Sequence, residues 1–291
     1  MVTKENKEKY NLLIGRHCLV KAPNFLLGAV QEALTYEANS LMVYSGAPQN
    51  SARRPLSDWK IPEFKKFLVK NNLDINNVVV HGPYLVNLAN TINEKIFPWS
   101  VKFLKGEVAR MSEIGFKTMV IHPGSALNAE KNKSLLQIAK GINEIFEENT
   151  TMCIALETTC GRGGETGSKF EELKKIIDNV KKKERVGVCW DTCHLYAAGY
   201  DIKDNLEKVI KEFSEIIGLD KLWVIHLNDS DGGLGLKTDL HKNIGQGKIG
   251  LKVLKKIVWH PKFNGIIKIL ETPRNDEKVY REEIKLLKSL D

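Results

Sequence analysis

The chain has 291 residues, 42% hydrophobic and 27% charged, and no apolar run reaches the roughly 18 residues that a membrane span needs. Lys and Arg number 44 against 36 for Asp and Glu, a formal charge of +8 that favours a polyanionic partner such as nucleic acid. The polar start MVTKENKEKYN carries no apolar leader, and the five cysteines lack a CxxC pair, so a cytoplasmic protein with reduced cysteines is expected rather than a disulfide framework or a thiolate zinc knuckle.

In chain order, a short apolar run of β type, LLIG (12–15), precedes the amphipathic FLLGAVQEALTYEA (25–38) and a second run, LMVY (41–44). VVVH (78–81) is followed by helical spacing in FPWSVKFLKGEVARMSEIG (97–115), and MVIH (119–122) by KSLLQIAKGINEIFEEN (133–149). CIALE (153–157), a lysine-rich stretch at 174–185 that reads as a solvated helix face, VGVCWD (186–191), NLEKVIKEFSEIIG (205–218), LWVIH (222–226) and IIKILE (266–271) complete the series. Eight nearly continuous apolar runs joined by helical stretches predict parallel strands buried on both faces and closed into a (β/α)8 TIM barrel, an α/β fold occupying 1–291 as one domain.

Six of the eight runs finish on an ionisable residue: His81, His122, Glu157, Asp191, His226 and Glu271. In a parallel barrel these ends open on one face, where the βα loops build the active site, so residues distant in sequence converge. His194 after the sixth run, and Asp239 and His241 after the seventh, bring the candidate ligands to nine, while His17 and His260 fall outside the pattern and read as structural. Imidazole with carboxylate suits zinc, with manganese or iron also possible, and nine ligands suffice for two or three ions. Cys189, two residues before Asp191, is expected deeper in the barrel, and paired thiolates that would mark Cys193 as a ligand are missing.

The pieces HGPYLVN (81–87), IHPGS (121–125), ALETT (155–159), DTCHLYAAG (191–199), IHLNDS (225–230), DLHKNIGQG (239–247) and ILETP (269–273) together resemble endonuclease IV, the bacterial-type abasic-site (AP) endonuclease family, along essentially the whole chain. The resemblance implies three zinc ions: His81, His122 and Glu157 holding the first, Glu157, Asp191, His226 and Glu271 the second, and His194, Asp239 and His241 the third. Glu157 and Glu271 would serve catalysis. It further implies hydrolysis of double-stranded DNA 5′ to abasic sites, leaving a 3′-hydroxyl and a 5′-deoxyribose phosphate, and removal of groups blocking 3′ ends. A monomer with no membrane association is expected. Tyr84 and Leu85 match the family's aromatic wedge. Gln49 stands in the loop 44–56 where some members insert an Arg, with Arg53 and Arg54 nearby, and Leu240 and Lys242 replace an Arg and an acidic residue.

Two other readings use the same residues. A metal-dependent sugar isomerase or epimerase shares the barrel and the Glu, Asp and His ligands but needs at most two ions, so the set His194, Asp239 and His241 counts against it. A lesion-binding protein without catalysis would show a broken ligand set, and none of the nine positions is broken.

Overall fold

The computed structural model describes residues 7–147, 150–273 and 277–290. Eight parallel strands, β1 (Leu13–His17), β2 (Ser40–Tyr44), β3 (Val78–His81), β4 (Thr118–Ile121), β5 (Cys153–Glu157), β6 (Val186–Asp191), β7 (Leu222–His226) and β10 (Ile267–Leu270), close into a barrel in the order β1-β10-β7-β6-β5-β4-β3-β2. A two-stranded ribbon, β8 (Asp229–Ser230) against β9 (His241–Lys242), stands outside it. The helices are α1 (Phe25–Thr35), α2 (Ile61–Lys70), α3 (Ile96–Ile114), α4 (Lys131–Ile145), α5 (Phe170–Asp178), α6 (Thr192–Ala198), α7 (Leu206–Ile216), α8 (Leu251–Val258) and α9 (Glu277–Lys288). The fold is the expected TIM barrel. No helix among the described residues is long and apolar enough to cross a membrane.

Several boundaries differ from the expected ones. The first strand runs on to His17, because its pairing with β2 continues through Met42. The stretch expected as helix over 97–115 begins at Ile96 and ends at Ile114, where Gly115, at φ 106°, turns the chain out of the helix. The stretch over 133–149 starts earlier, at Lys131, because the Glu130 side chain accepts from the amide of Lys133 as an N-cap. Its residues 148 and 149 lie outside the described residues.

Alternate strand positions divide the apolar residues between two cores. Met42, Val79, Val120, Ala155, Cys189, Val224 and Ile269 fill the barrel interior, so Cys189 does lie below Asp191. Their neighbours Val78, Val80, Met119, Ile121, Leu156, Val188 and Trp190 face the helices and join Leu104, Val108, Ile138, Phe170, Ile210 and Phe213 in the larger core. Gly15 carries no side chain for a physical reason: a Cβ there would lie 1.7 Å from the carbonyl oxygen of Ser40 on the adjacent strand.

Candidate metal centre

The pleat that fills the barrel also builds its mouth. Each strand side chain points the same way as the one two positions before it, so an interior residue is followed two positions later by one at the mouth. Val79 leads to His81, Val120 to His122, Ala155 to Glu157, Cys189 to Asp191, Val224 to His226 and Ile269 to Glu271. The same parity carries Met42 to Tyr44 and Leu13, through Gly15, to His17. All eight strands therefore contribute one residue to a ring, of which the pattern of ionisable strand ends reveals six.

Glu157 occupies the middle. Its Oε2 lies 3.1 Å from His81 Nε2 and 3.2 Å from His122 Nε2, and its Oε1 lies 3.0 Å from His226 Nδ1. That same His226 nitrogen is 3.0 Å from Glu271 Oε2. Further out, Asp239 Oδ1 is 3.1 Å from His194 Nε2 and 3.3 Å from His241 Nε2, and His241 Nε2 is 3.6 Å from Asp191 Oδ2. The donor atoms gather into overlapping groups, each within 4.8 Å, among them His81, His122 and Glu157; Glu157, Asp191, His226 and Glu271; His194, Asp239 and His241; and also His81, His226 and Glu271. Cys193 is buried, with its Sγ 3.6 Å from the Leu240 carbonyl oxygen, and it also falls within reach of Asp191 and His241.

The backbone decides which imidazole nitrogen faces inward. A carbonyl oxygen can only accept, so the Nδ1 atoms of His81 (2.6 Å to Gly82 O), His194 (2.9 Å to Thr158 O) and His241 (3.3 Å to Glu271 O) each carry the proton. Their Nε2 atoms then present lone pairs toward carboxylate oxygens, an arrangement that repels unless a cation or an added proton lies between. Among the described residues, His226 Nε2 and His241 Nε2 are buried without a hydrogen-bond partner. A donor set of nitrogen lone pairs and carboxylates needing shared positive charge fits divalent transition ions.

Without metal, protons must supply that charge. Burial works against a charged His194, but Asp191, Asp239 and Glu157 around it reverse the effect and hold it well above 6.5. Burial likewise opposes ionised Glu157, yet His226, His122 and His194 hold it well below the usual carboxylate range. Burial also works against ionised Glu271, and His226 beside it pulls its pKa down. Both carboxylates are thus held ionised as ligands would be.

Several supporting residues are not apparent from the ligand pattern. Asn228 donates from Nδ2 to Asp191 Oδ2 (2.6 Å) and accepts at Oδ1 from the Glu271 amide (2.9 Å), tying two candidate ligands together. Asp191 Oδ1 caps α6 by accepting the His194 amide (2.8 Å), which seats His194 one turn beyond the strand. Asp229 accepts amides of Gly245, Gly247, Ile249 and Gly250, each within 3.2 Å, and pins the segment that follows His241. His17, expected to be structural, ends β1 at the mouth, where it packs edge-on against Tyr44 at 4.6 Å and, among the described residues, has its Nε2 buried without a partner. Burial pushes it down to about 4. His260 pairs with Glu207 on α7, 3.1 Å away.

The residues expected at DNA lie around this mouth. Tyr84 is half-exposed, its ring 5.2 Å from that of His81 and 5.1 Å from that of His122, and its hydroxyl is hydrogen-bonded to that of Tyr44. Leu85 beside it is partly buried, and Gln49 is exposed in the loop after β2. Of the two nearby arginines, Arg53 points inward, 2.8 Å from buried Glu107, whereas Arg54 is 70% exposed and so remains open to solvent. Leu240 is exposed, and Lys242 lies 3.4 Å from Asp231, so its charge is partly answered within its own ribbon.

A family model described as a xylose isomerase-like TIM barrel matches residues 30–290. The chain is 44% identical over 280 residues to a protein of Acholeplasma laidlawii named probable endonuclease 4, covering 95% of both chains. It is 41% identical over 283 residues to the protein of that name from Bacillus subtilis, again 95% of each. Among solved structures, endonuclease IV from Thermus thermophilus superposes with a TM-score of 0.80 at 30% identity, over 94% of this chain and 98% of that one. A D-tagatose 3-epimerase-like protein reaches 0.70 at 18% identity, over 94% and 96% of the two chains, a likeness of fold alone.

Proposed function

Because the chain belongs to the endonuclease 4 family, we propose that it is a metal-dependent AP endonuclease of DNA repair, cutting the phosphodiester 5′ to abasic sites in double-stranded DNA. The products are a 3′-hydroxyl and a 5′-deoxyribose phosphate, and the same site clears blocked 3′ ends. In this reading all 291 residues form one domain, working as a cytoplasmic monomer. The observation that supports the proposal is the convergence of the nine candidate ligands into overlapping groups at the barrel mouth, two of which share Glu157.

His81, His122 and Glu157 would hold one zinc, Glu157, Asp191, His226 and Glu271 a second, and His194, Asp239 and His241 a third, with manganese or iron able to replace zinc at some of these positions. Ions held there supply Lewis acidity and, against four carboxylates, about two net positive charges for a phosphodiester anion. The chain's own groups do the rest. Glu157 and Glu271, kept ionised, accept hydrogen bonds and so orient a water whose oxygen must approach phosphorus in line. Asn228 fixes the spacing of Asp191 and Glu271. Tyr84 and Leu85, on the rim three and four residues past His81, would fill the space left when the poorly stacked abasic nucleotide swings out of the duplex. Gln49 would contact DNA from the loop after β2.

The test is incubation of an abasic duplex with protein as purified, after chelation and after zinc is restored, with the ends mapped and the metal counted. About three zinc ions per chain and a 3′-hydroxyl are expected. A 3′-unsaturated sugar would mean lyase chemistry, and full activity with one ion or none would refute the trinuclear site.

A further inference from the structure

The loop after β2 forms one wall of a cleft of about 630 Å³ that opens onto the ring at His17 and Tyr44. Apart from a turn at Pro48–Gln49, residues 46–54 make no further backbone hydrogen bond to one another among the described residues, so little in the backbone itself fixes the shape of the loop. Side chains do more: Asn50 Oδ1 accepts the Ala52 amide (3.1 Å), Arg110 Nη2 donates to the Arg54 carbonyl oxygen (2.9 Å), and Arg53 ties the middle of the loop together. The two hydrogens of its Nη1 are shared among the carbonyl oxygens of Asn50 (2.8 Å), Ala52 (2.9 Å) and Ala47 (3.3 Å), so three carbonyls of the loop gather on one nitrogen.

The guanidinium is itself anchored. Its Nε donates to Glu107 Oε2 at 2.8 Å, and Glu107, buried on α3, also accepts from the Ser45 hydroxyl and lies 3.8 Å from Arg110. The Arg53 carbon Cζ rests 4.8 Å from the centre of the Phe103 ring, which stacks at 5.1 Å on Trp99. Gly46 leaves the room: a Cβ there would lie 2.6 Å from Arg53 Cδ and Nε. A flat, multiply donating group suits this position, because one fork can serve an acid and several carbonyls at once.

We propose that Arg53 is a positioning residue for lesion recognition, which holds the loop carrying Gln49 folded from the inside so that DNA meets it in one shape. This rests on the reading of the protein as an AP endonuclease. Arg53 does not reach DNA; it spares the duplex the cost of ordering the loop. A loop that keeps its binding shape about one tenth of the time binds about tenfold more weakly.

The test compares zinc-loaded wild type with R53M, R53K and G46A on an abasic duplex and on bis(p-nitrophenyl) phosphate, a diester too small to touch the loop. For R53M, the ratio of duplex kcat/KM to small-diester kcat/KM should fall about tenfold, with the change in KM. R53K should recover less than half of it, since one ammonium cannot reproduce the fork, and G46A, which keeps every charge but displaces the guanidinium, should lose in the same direction should R53M fail to fold. An unchanged ratio in R53M or G46A, equal losses on both substrates, or full recovery in R53K would overturn the proposal. Wild type that hydrolyses the small diester but leaves abasic duplex intact would sink the function itself, and the inference with it.

Discussion

Replacing Glu157 with Gln tests whether one carboxylate serves two ions. Its two oxygens face different histidines, Oε2 toward His81 and His122 and Oε1 toward His226. It therefore belongs to two of the candidate ligand groups, whereas His122 belongs to one. Gln keeps the shape but replaces one oxygen by an amide that offers no lone pair, and it removes the charge that balances His226, His122 and His194. His122→Ala takes one donor from a single group and leaves Glu157 in place. The Gln variant should lose at least tenfold more kcat/KM on an abasic duplex than the Ala variant, about 1.4 kcal/mol of transition-state stabilisation. The assay is steady-state cleavage at one salt concentration, with zinc counted and folding checked by circular dichroism in both variants. Equal losses at equal metal content would refute the bridging role.

Tyr84→Ala should weaken cleavage of an abasic duplex by about tenfold to a hundredfold, the scale of one aromatic contact with a base, while an abasic single strand, with little stacking to lose, changes little. A uniform loss, or lost zinc, would make Tyr84 a support for its neighbours His81 and His122 instead. Asp229→Ala strands four amides of the 245–250 segment and should cost about 3 kcal/mol or more in urea unfolding; a loss below about 1 kcal/mol would mean that water replaces the carboxylate. In chelated protein, His194 and His226 are raised above 6.5, so the stability they contribute is complete below that pH and is lost as pH rises through their folded values. Glu157 and Glu271 are lowered, so their contribution is constant over that window. Tm of the metal-free protein should therefore fall as pH rises above about 6.5, and excess zinc should abolish the fall by taking the lone pairs that protons held. A flat Tm in chelated protein across the same range would contradict the proton-filled arrangement.

The barrel and six of its eight mouth residues are legible in the sequence because both depend on local signals. An apolar run with a helix on either side reads as a buried parallel strand, and the period of two places an ionisable last residue at the mouth whatever the other strands do. His17 escapes because the apolar run stops at Gly15, a residue whose lack of a side chain answers to Ser40 on the next strand and not to a turn. Tyr44 escapes because it ends its strand without a metal-binding group. The tertiary structure alone decides which partners meet across long separations: Asn228 between Asp191 and Glu271, Asp229 under the glycines at 245–250, and Arg53 on Glu107. It also decides between two adjacent arginines, one anchored inside and one left to solvent. Such choices follow from how helices and loops close around the barrel, which brings together groups whose spacing along the chain carries no period, so no window of sequence contains both halves of the contact.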